Sequence, residues 1–198
     1  MKHNKYKHYY SQKNHRPMVS LKAYDSMEKA LNTSKYEYGG YFEHDPKVNE
    51  LNVDYVTGGS KDSISLPIST YEFHTHPNKC YSKHNCALGM PSLPDMLNIF
   101  DRCTQKNECH FVFAHEGSFV VGVKNEFRNL YLRDPKLCAQ DRKGLKGRLK
   151  TLYDKFDKSS RMSYKEFLQI WLRYINAADS YFRVDYFPKY IGPTVPSL

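Results

Sequence analysis

Two histidines and an aspartate in the middle of the chain have the residue types and spacing of a metal site. His74 and His76 flank one threonine in HTHP (74–77), and Asp95 closes SLPD (92–95). On a β-strand, side chains two residues apart share a face, with Cα atoms about 7 Å apart, so both imidazoles can bind one ion. Zinc takes nitrogen and oxygen ligands, and a catalytic site keeps one position for water. With Asp95 as third ligand, a bound zinc keeps one net positive charge and stays a Lewis acid.

The same residues also have a purely structural interpretation. Ser92 has the type of a helix N-cap, Pro94 would fall at the second helical position and Asp95 at the third. A His-x-His pair on a strand is a weak indicator of metal, and each element alone favours a structural role. Their joint presence, in this order along the chain, favours a metal site.

Three short motifs together resemble the signature of the JAMM (MPN+) zinc metalloproteases. They are EYGGYF (37–42), HTHP (74–77) and SLPD (92–95). The family pattern is a glutamate in an ExxGxL/F strand, then HS/THP, then SxxD, and the resemblance covers about residues 19–125. The chain departs from the pattern in two ways: the segment before Ser92 is longer than the family's usual loop, and the resemblance does not extend past about residue 130.

The resemblance implies an α/β (α+β) fold of the MPN, cytidine-deaminase-like type, with a curved mixed sheet flanked by helices and a C-terminal helical extension. It implies one catalytic zinc held by His74, His76 and Asp95, with water as the fourth ligand. The implied enzyme is a deubiquitinase-type isopeptidase, which hydrolyses the amide bond between lysine and ubiquitin or a ubiquitin-like protein.

Two further residues receive catalytic roles from the resemblance. Glu37 would take a proton from the water and deliver it to the leaving amine. Ser92 would donate a hydrogen bond to the oxyanion of the tetrahedral intermediate. Glu72 shares a strand face with His74 and is the alternative base, but only Glu37 has Gly40 three residues later, as the family pattern requires.

Other functions stay open. The chain is also compatible with a JAMM-fold hydrolase of another peptide or small-molecule amide, or with a noncatalytic MPN interaction scaffold, although such scaffolds typically lack the zinc ligands. The net charge of +9 and the basic stretch RKGLKGRLK (142–150) suit acidic partners such as nucleic acid or an anionic surface. A solvated helix face explains the same charges, so nucleic-acid binding is not favoured.

A second, structural zinc is an alternative for Cys80, His84 and Cys86, because some JAMM deubiquitinases hold such an ion in a loop beside the substrate groove. The spacing of these residues is not CxxC, and cysteine is often buried as a small apolar group.

Length and composition set the context of the site. The 198 residues suit one domain with an appended part: a basic disordered arm (1–17), a catalytic domain (18–133) and a helical extension (134–198). Five cysteines, no apolar core near the N-terminus and no apolar run of membrane-spanning length lead us to expect a reducing compartment, cytoplasmic or nuclear, without a membrane span. Nothing in the sequence indicates an oligomeric state.

Hydrophobic periodicity predicts the elements that must position these residues. The first elements are a helix over 19–33, a strand ending at Phe42 before a turn at 44–46, and a strand over 48–56. In the last of these, the expected inward positions, around a bulge or shift, are Val48, Leu51, Val53 and Tyr55. Strand character over 63–76, broken at Pro67, is followed by a helix over 93–103 and by strands 109–115 and 118–123 joined at Glu116-Gly117. Two helical stripes follow, one of Leu145, Leu149, Leu152, Tyr153 and Phe156, the other of Tyr164, Phe167, Leu168, Trp171, Ile175 and Ala178 behind a capping box at Ser163–Glu166. The aromatic tail is expected to pack over the domain.

Overall fold

A computed structural model describes residues 17–60, 63–77, 89–105, 108–158 and 162–189, the last three residues of 108–158 by backbone alone. The strands in these ranges are β1 (Met18–Val19), β2 (Tyr38–Asp45), β3 (Glu50–Gly58), β4 (Tyr71–His76), β5 (Cys109–Ala114), β6 (Gly117–Val123) and β7 (Phe182–Pro188). The helices are α1 (Leu21–Thr33), α2 (Leu93–Arg102), α3 (Asn125–Arg133), α4 (Pro135–Lys158) and α5 (Tyr164–Ile175).

The seven strands form one curled mixed sheet in the order β1-β3-β2-β4-β5-β6-β7. Strand β4 lies at its centre, antiparallel to β2 and parallel to β5. Five of the six β4 residues are buried. Burial of this extent is typical of a strand that other elements cover on both faces of the sheet. The predicted mixed α/β class is therefore confirmed, and the histidine pair lies on the central strand of the sheet.

Alternating residues of the central strands divide the core between two faces of the sheet. One face packs against α1, which buries Ala23, Met27 and Leu31 at helical spacing. The other face packs against α2, α4 and α5. Phe111 and Phe113 point to the α1 face, whereas the residue between them, Val112, belongs to the α2 face.

The C-terminal part of the chain completes the same sheet and the same core. Leu145 and Leu149 of α4 and Trp171 of α5 are buried in the cluster that also contains α2. Strand β7 pairs with β6 in antiparallel register, from Phe182 opposite Val123 to Pro188 opposite Gly117. Both predicted helices are confirmed, but Ala178 lies beyond the end of α5 and is exposed, and the side chain of Phe156 lies outside the described part. Strand β7 and helix α3 were not predicted.

Several predicted boundaries are wrong. Strand β2 continues to Asp45. The expected bulge or shift in β3 is confirmed, because the register shifts where Tyr41 pairs with Tyr55 and Phe42 with Val53, but not all of the inward positions are. Leu51 is buried, whereas Val48 and Tyr55 are 59% and 41% exposed. Residues 63–70 form no strand. The hairpin turn is one residue earlier than predicted, because Gly117 already belongs to β6.

Residues 1–16 of the predicted arm and the tail beyond residue 189 lie outside the described ranges. Within the described ranges, no helix combines the length and the apolar composition that crossing a bilayer requires.

Gly40 is expected to be essential for the pairing of β2 with β3. A Cβ at this position would lie 1.8 Å from the backbone oxygen of Tyr55, whereas a Cβ on Gly58 would meet no atom within 4 Å. We expect Gly40→Ala to lower the free energy of unfolding by about 1–3 kcal/mol or more, because the neighbouring strand must move. The matched control Gly58→Ala should change it by less than about 0.5 kcal/mol. Urea unfolding measures both, and equal stabilities would contradict the close approach of the two strands.

Candidate metal centre

Strand β4 places the two histidines side by side on the face that packs against α2. The Nε2 atoms of His74 and His76 lie 2.9 Å apart, and the residues are only 2% and 6% exposed. Their strand neighbours leave room for them, since Gly39 of β2 lies opposite His74. A Cβ on Gly39 would lie 3.0 Å from the Cβ of His74 and 2.6 Å from the backbone oxygen of Phe73. Glycine at this position lets β2 pack closely against the histidine strand.

The third candidate ligand comes from the first turn of α2. Ser92 caps this helix as predicted, and Asp95 accepts a hydrogen bond from the backbone N–H of Ser92, so that the two residues form a full capping box. Asp95 Oδ1 lies 3.5 Å from His74 Nε2, and Asp95 Oδ2 lies 3.5 Å from His76 Nε2. The capping box therefore fixes a carboxylate over the two imidazoles.

These three groups fit a metal ion. One ligand atom from each of the three lies within 4.8 Å of the others. Tetrahedral zinc with bonds of about 2.0–2.1 Å separates its ligand atoms by about 3.3 Å, so small side-chain rotations would close the site. His76 Nδ1 donates to the backbone oxygen of Gly89 at 3.1 Å, which leaves the Nε2 lone pair of the neutral ring directed at the centre.

Electrostatics also favour a positive charge at the centre. Burial lowers the pKa of His74 to about 4, so this imidazole is neutral at neutral pH. Burial also acts to lower the pKa of His76, but hydrogen bonding and charge from Asp95, with the charge of Glu37, outweigh it and raise that pKa. Burial alone would raise the pKa of Asp95, yet the two histidines hold it well below its usual range. An ionised carboxylate and two nitrogen donors thus converge at one point.

Glu37 lies beside this cluster, directly before β2. Its backbone is fixed by two hydrogen bonds, from Glu37 N to Ser60 O at 2.9 Å and from Gly59 N to Glu37 O at 2.8 Å. Its carboxylate Oε1 lies 3.9 Å from His76 Nε2, and the side chain is 12% exposed. Glu37 therefore borders the group of His74, His76 and Asp95, whose ligand atoms converge, and is not a member of that group. Its role as a proton acceptor stays a prediction.

Glu72, the alternative base, is directed away from the centre. It is 1% exposed, and its carboxylate accepts hydrogen bonds from Arg102 Nη1 at 2.8 Å and from the backbone N–H of Ser69 at 3.0 Å. Burial would raise its pKa, but His110, Ser69 and Arg102 outweigh this effect and lower it. The structural interpretation of Glu72 fits these contacts.

The hydroxyl of Ser92 is engaged with Asp95. Ser92 Oγ donates to Asp95 Oδ2 at 2.6 Å and accepts from the backbone N–H of Asp95 at 3.3 Å. A hydroxyl has one proton to donate. The oxyanion role stays a prediction, and it requires the Ser92 hydroxyl to rotate away from Asp95.

The C-terminal helices hold the segment that leads into α2. Tyr153 of α4 donates a hydrogen bond to the backbone oxygen of Pro91, and Trp171 Nε1 of α5 donates to the Tyr153 hydroxyl at 2.9 Å. This segment carries the Gly89 oxygen that orients His76 and the Ser92 cap that orients Asp95. Residues beyond the resemblance thus support the centre.

Sequence analysis missed one buried residue, His110 of β5. Its Nε2 lies 2.6 Å from His74 Nδ1, and its Nδ1 lies 3.3 Å from Glu72 Oε2. The signal would have been the parallel register of β4 with β5, which sets Glu72 opposite His110. Parallel strands are far apart in sequence, so the register of β4 with β5 cannot be predicted from a single sequence.

The candidates for a second zinc, Cys80, His84 and Cys86, lie outside the described residues. Two other cysteines are buried in the separate cores: Cys103 packs on the α2 face and Cys109 on the α1 face. Burial raises the pKa of Cys103 to about 12 and raises that of Cys109 well above its usual value. Both thiols are therefore protonated and pack as small apolar groups.

Comparison of the chain with protein-family models, with curated proteins and with solved structures finds no significant match.

Ser92 is expected to contribute more to stability than the similar cap at Ser163. Both serines close capping boxes, but Ser163 is exposed, whereas the Ser92 hydroxyl also bonds a largely buried carboxylate. We expect Ser163→Ala to cost about 1 kcal/mol, and Ser92→Ala to cost more because Asp95 loses its donor. Chemical unfolding of the metal-free proteins measures the difference. Equal costs would mean that the bond from the Ser92 hydroxyl to Asp95 adds no stability.

Proposed function

We propose that this protein is a zinc-dependent isopeptidase that hydrolyses the amide bond between lysine and ubiquitin or a ubiquitin-like protein. The observation that carries the proposal is the convergence of His74, His76 and Asp95 on one point, with Glu37 beside them. Two nitrogen donors and one carboxylate leave a coordination position open, which is typical of catalytic and not of structural zinc.

Zinc bound by these three residues would lower the pKa of water and polarise the scissile carbonyl. Glu37 then accepts the proton that the attacking water loses. Because an amide nitrogen is a poor leaving group, Glu37 also delivers this proton to the amine. Its position 3.9 Å from His76 Nε2 suits both steps, since it is close to the ligands but outside them.

The choice of an isopeptide substrate rests on the motif resemblance. EYGGYF (37–42), HTHP (74–77) and SLPD (92–95) together follow the JAMM pattern, and the described fold gives each motif a role. Gly39 and Gly40 admit close packing of β2 against its neighbours, the histidines lie on the central strand, and Ser92 with Asp95 begins α2. The alternative functions are hydrolysis of another amide and a noncatalytic scaffold. The cleavage experiment below distinguishes them from the isopeptidase.

Glu37→Gln should abolish cleavage without loss of the metal. We expect the purified full chain, loaded with zinc, to cleave ubiquitin chains or a ubiquitin-like conjugate. Removing the proton acceptor should reduce kcat by roughly 10²–10⁴-fold while zinc content stays unchanged. Glu43→Gln is the matched control, because Glu43 is an exposed glutamate of β2, the strand that Glu37 directly precedes.

Two results would contradict this proposal at different points. A zinc-loaded wild type that cleaves none of these conjugates, but cleaves another peptide or amide, would overturn the substrate. A Glu37→Gln variant with full activity would overturn the proposed mechanism.

Zinc should stabilise the protein through Asp95. At zinc concentrations about 100-fold above Kd, binding adds about 2.7 kcal/mol to the free energy of unfolding, and a chelator should remove this gain. Asp95→Asn should lose most of the zinc-dependent rise in Tm because an amide is a weaker ligand than a carboxylate. Asp101→Asn, on the same helix but paired with Arg142, should retain it. An unchanged zinc response in Asp95→Asn would exclude this aspartate as a ligand.

A further inference from the structure

A chain of buried polar groups extends from the metal centre into the protein behind His74. His74 Nδ1 lies 2.6 Å from His110 Nε2, and His110 Nδ1 lies 3.3 Å from Glu72 Oε2. Arg102 Nη1 donates to the same Glu72 oxygen at 2.8 Å. Since His74, His110 and Glu72 are 2%, 7% and 1% exposed, their hydrogen-bonding groups must be satisfied within the protein.

With a neutral His110 ring, the carboxylate fixes the direction of every hydrogen bond in this chain. An ionised Glu72 only accepts, so His110 carries its proton on Nδ1 and presents a lone pair at Nε2. His74 must then donate from Nδ1, and its own Nε2 has the lone pair. The opposite tautomers would place the unprotonated Nδ1 of His110 against a carboxylate oxygen, with two buried acceptors facing each other at 3.3 Å. Such an arrangement is costly away from water.

Glu72 is held firmly enough to impose this direction. Its other oxygen accepts from the backbone N–H of Ser69 at 3.0 Å, and Arg102 Nη2 also donates to the backbone oxygen of Leu66 at 3.1 Å. Arg102 and Asp95 belong to the same helix and are separated by seven residues, about two turns. One helix therefore contributes the candidate carboxylate ligand and anchors the far end of the polar chain.

We propose that Glu72 and His110 are positioning residues that fix the tautomer and ring orientation of His74, so that its Nε2 lone pair faces the metal, and that they thereby set the zinc affinity. The inference rests on the proposed function for its metal but not for its substrate. Partners of this kind, behind a metal-ligating histidine, typically change metal affinity by roughly 10–100-fold when they are removed. His76 is oriented separately, by the backbone oxygen of Gly89.

Zinc affinity of three variants tests this proposal. Competition with a chromophoric chelator gives the Kd of the purified full chain and of His110→Ala, His110→Gln and Glu72→Gln. We expect His110→Ala to weaken zinc binding by roughly 10–100-fold. His110→Gln should recover most of this loss, because a glutamine oxygen can accept from His74 Nδ1. His44→Ala is the matched control. His44 lies on β2, where its Nε2 is 2.9 Å from Asn49 Oδ1, and the zinc Kd of this variant should equal that of the wild type.

The tautomer of His74 is a second readout, and general loss of packing would not shift it in this way. Long-range ¹⁵N–¹H spectra of the metal-free protein should show His74 and His110 protonated at Nδ1. In His110→Ala, the Nδ1–H form of His74 should lose its preference, whereas His110→Gln should preserve it. If His110→Ala does not fold, His110→Gln and Glu72→Gln still test the proposal: Glu72→Gln should weaken zinc binding and mix the tautomers of His110.

The possible results separate this inference from the isopeptidase proposal. Wild-type zinc affinity in both His110→Ala and Glu72→Gln, or an Nε2–H tautomer of His74 in the wild type, would overturn the positioning role. A wild type that binds zinc but cleaves no conjugate would overturn the isopeptidase and leave the positioning role intact. A wild type that binds no zinc would overturn both.

Discussion

The burial of two imidazoles beneath an ionised carboxylate is the constraint on which the rest of the structure depends. His74, His76 and Asp95 direct lone pairs or negative charge at one point with little access to water. Such groups repel one another unless a cation lies between them. The pKa shifts have the same origin, because burial keeps His74 neutral while Asp95 draws positive charge toward His76. A metal ion held by the three residues would resolve this conflict.

The fold supplies what this cluster requires from three directions. The central strand β4 places both histidines on the sheet face that α2, α4 and α5 cover, and they are buried there. Helix α2 presents Asp95 at one end and anchors Glu72 through Arg102 at the other. Helices α4 and α5, joined by the bond from Trp171 to Tyr153, hold the backbone at Pro91. The C-terminal extension is thereby part of the scaffold of the centre.

Local patterns predicted well those features that depend on neighbouring residues. The N-cap at Ser92, the capping box at Ser163, helix α1 and the shared face of His74 and His76 all follow from spacing within a few residues, and the structure confirms them. The sequence could not show which strands pair. Strand β7 and the contact of His110 with Glu72 therefore escaped prediction, since both depend on register between distant segments. The sequence pattern of residues 63–70 predicted a strand, but side chains and not a neighbouring strand bind some of their backbone groups. Arg102 donates a hydrogen bond to the Leu66 oxygen, and Glu72 accepts one from the Ser69 N–H.

X-ray absorption at the zinc edge of the full chain, loaded with one equivalent of zinc, tests the central claim most directly. The account predicts a first shell of nitrogen and oxygen at about 2.0–2.1 Å, with imidazole scattering that diminishes in His76→Ala and no sulfur. Sulfur neighbours at about 2.3 Å would assign the metal to cysteines instead. Imidazole scattering that survives the loss of both His74 and His76 would contradict the account as well.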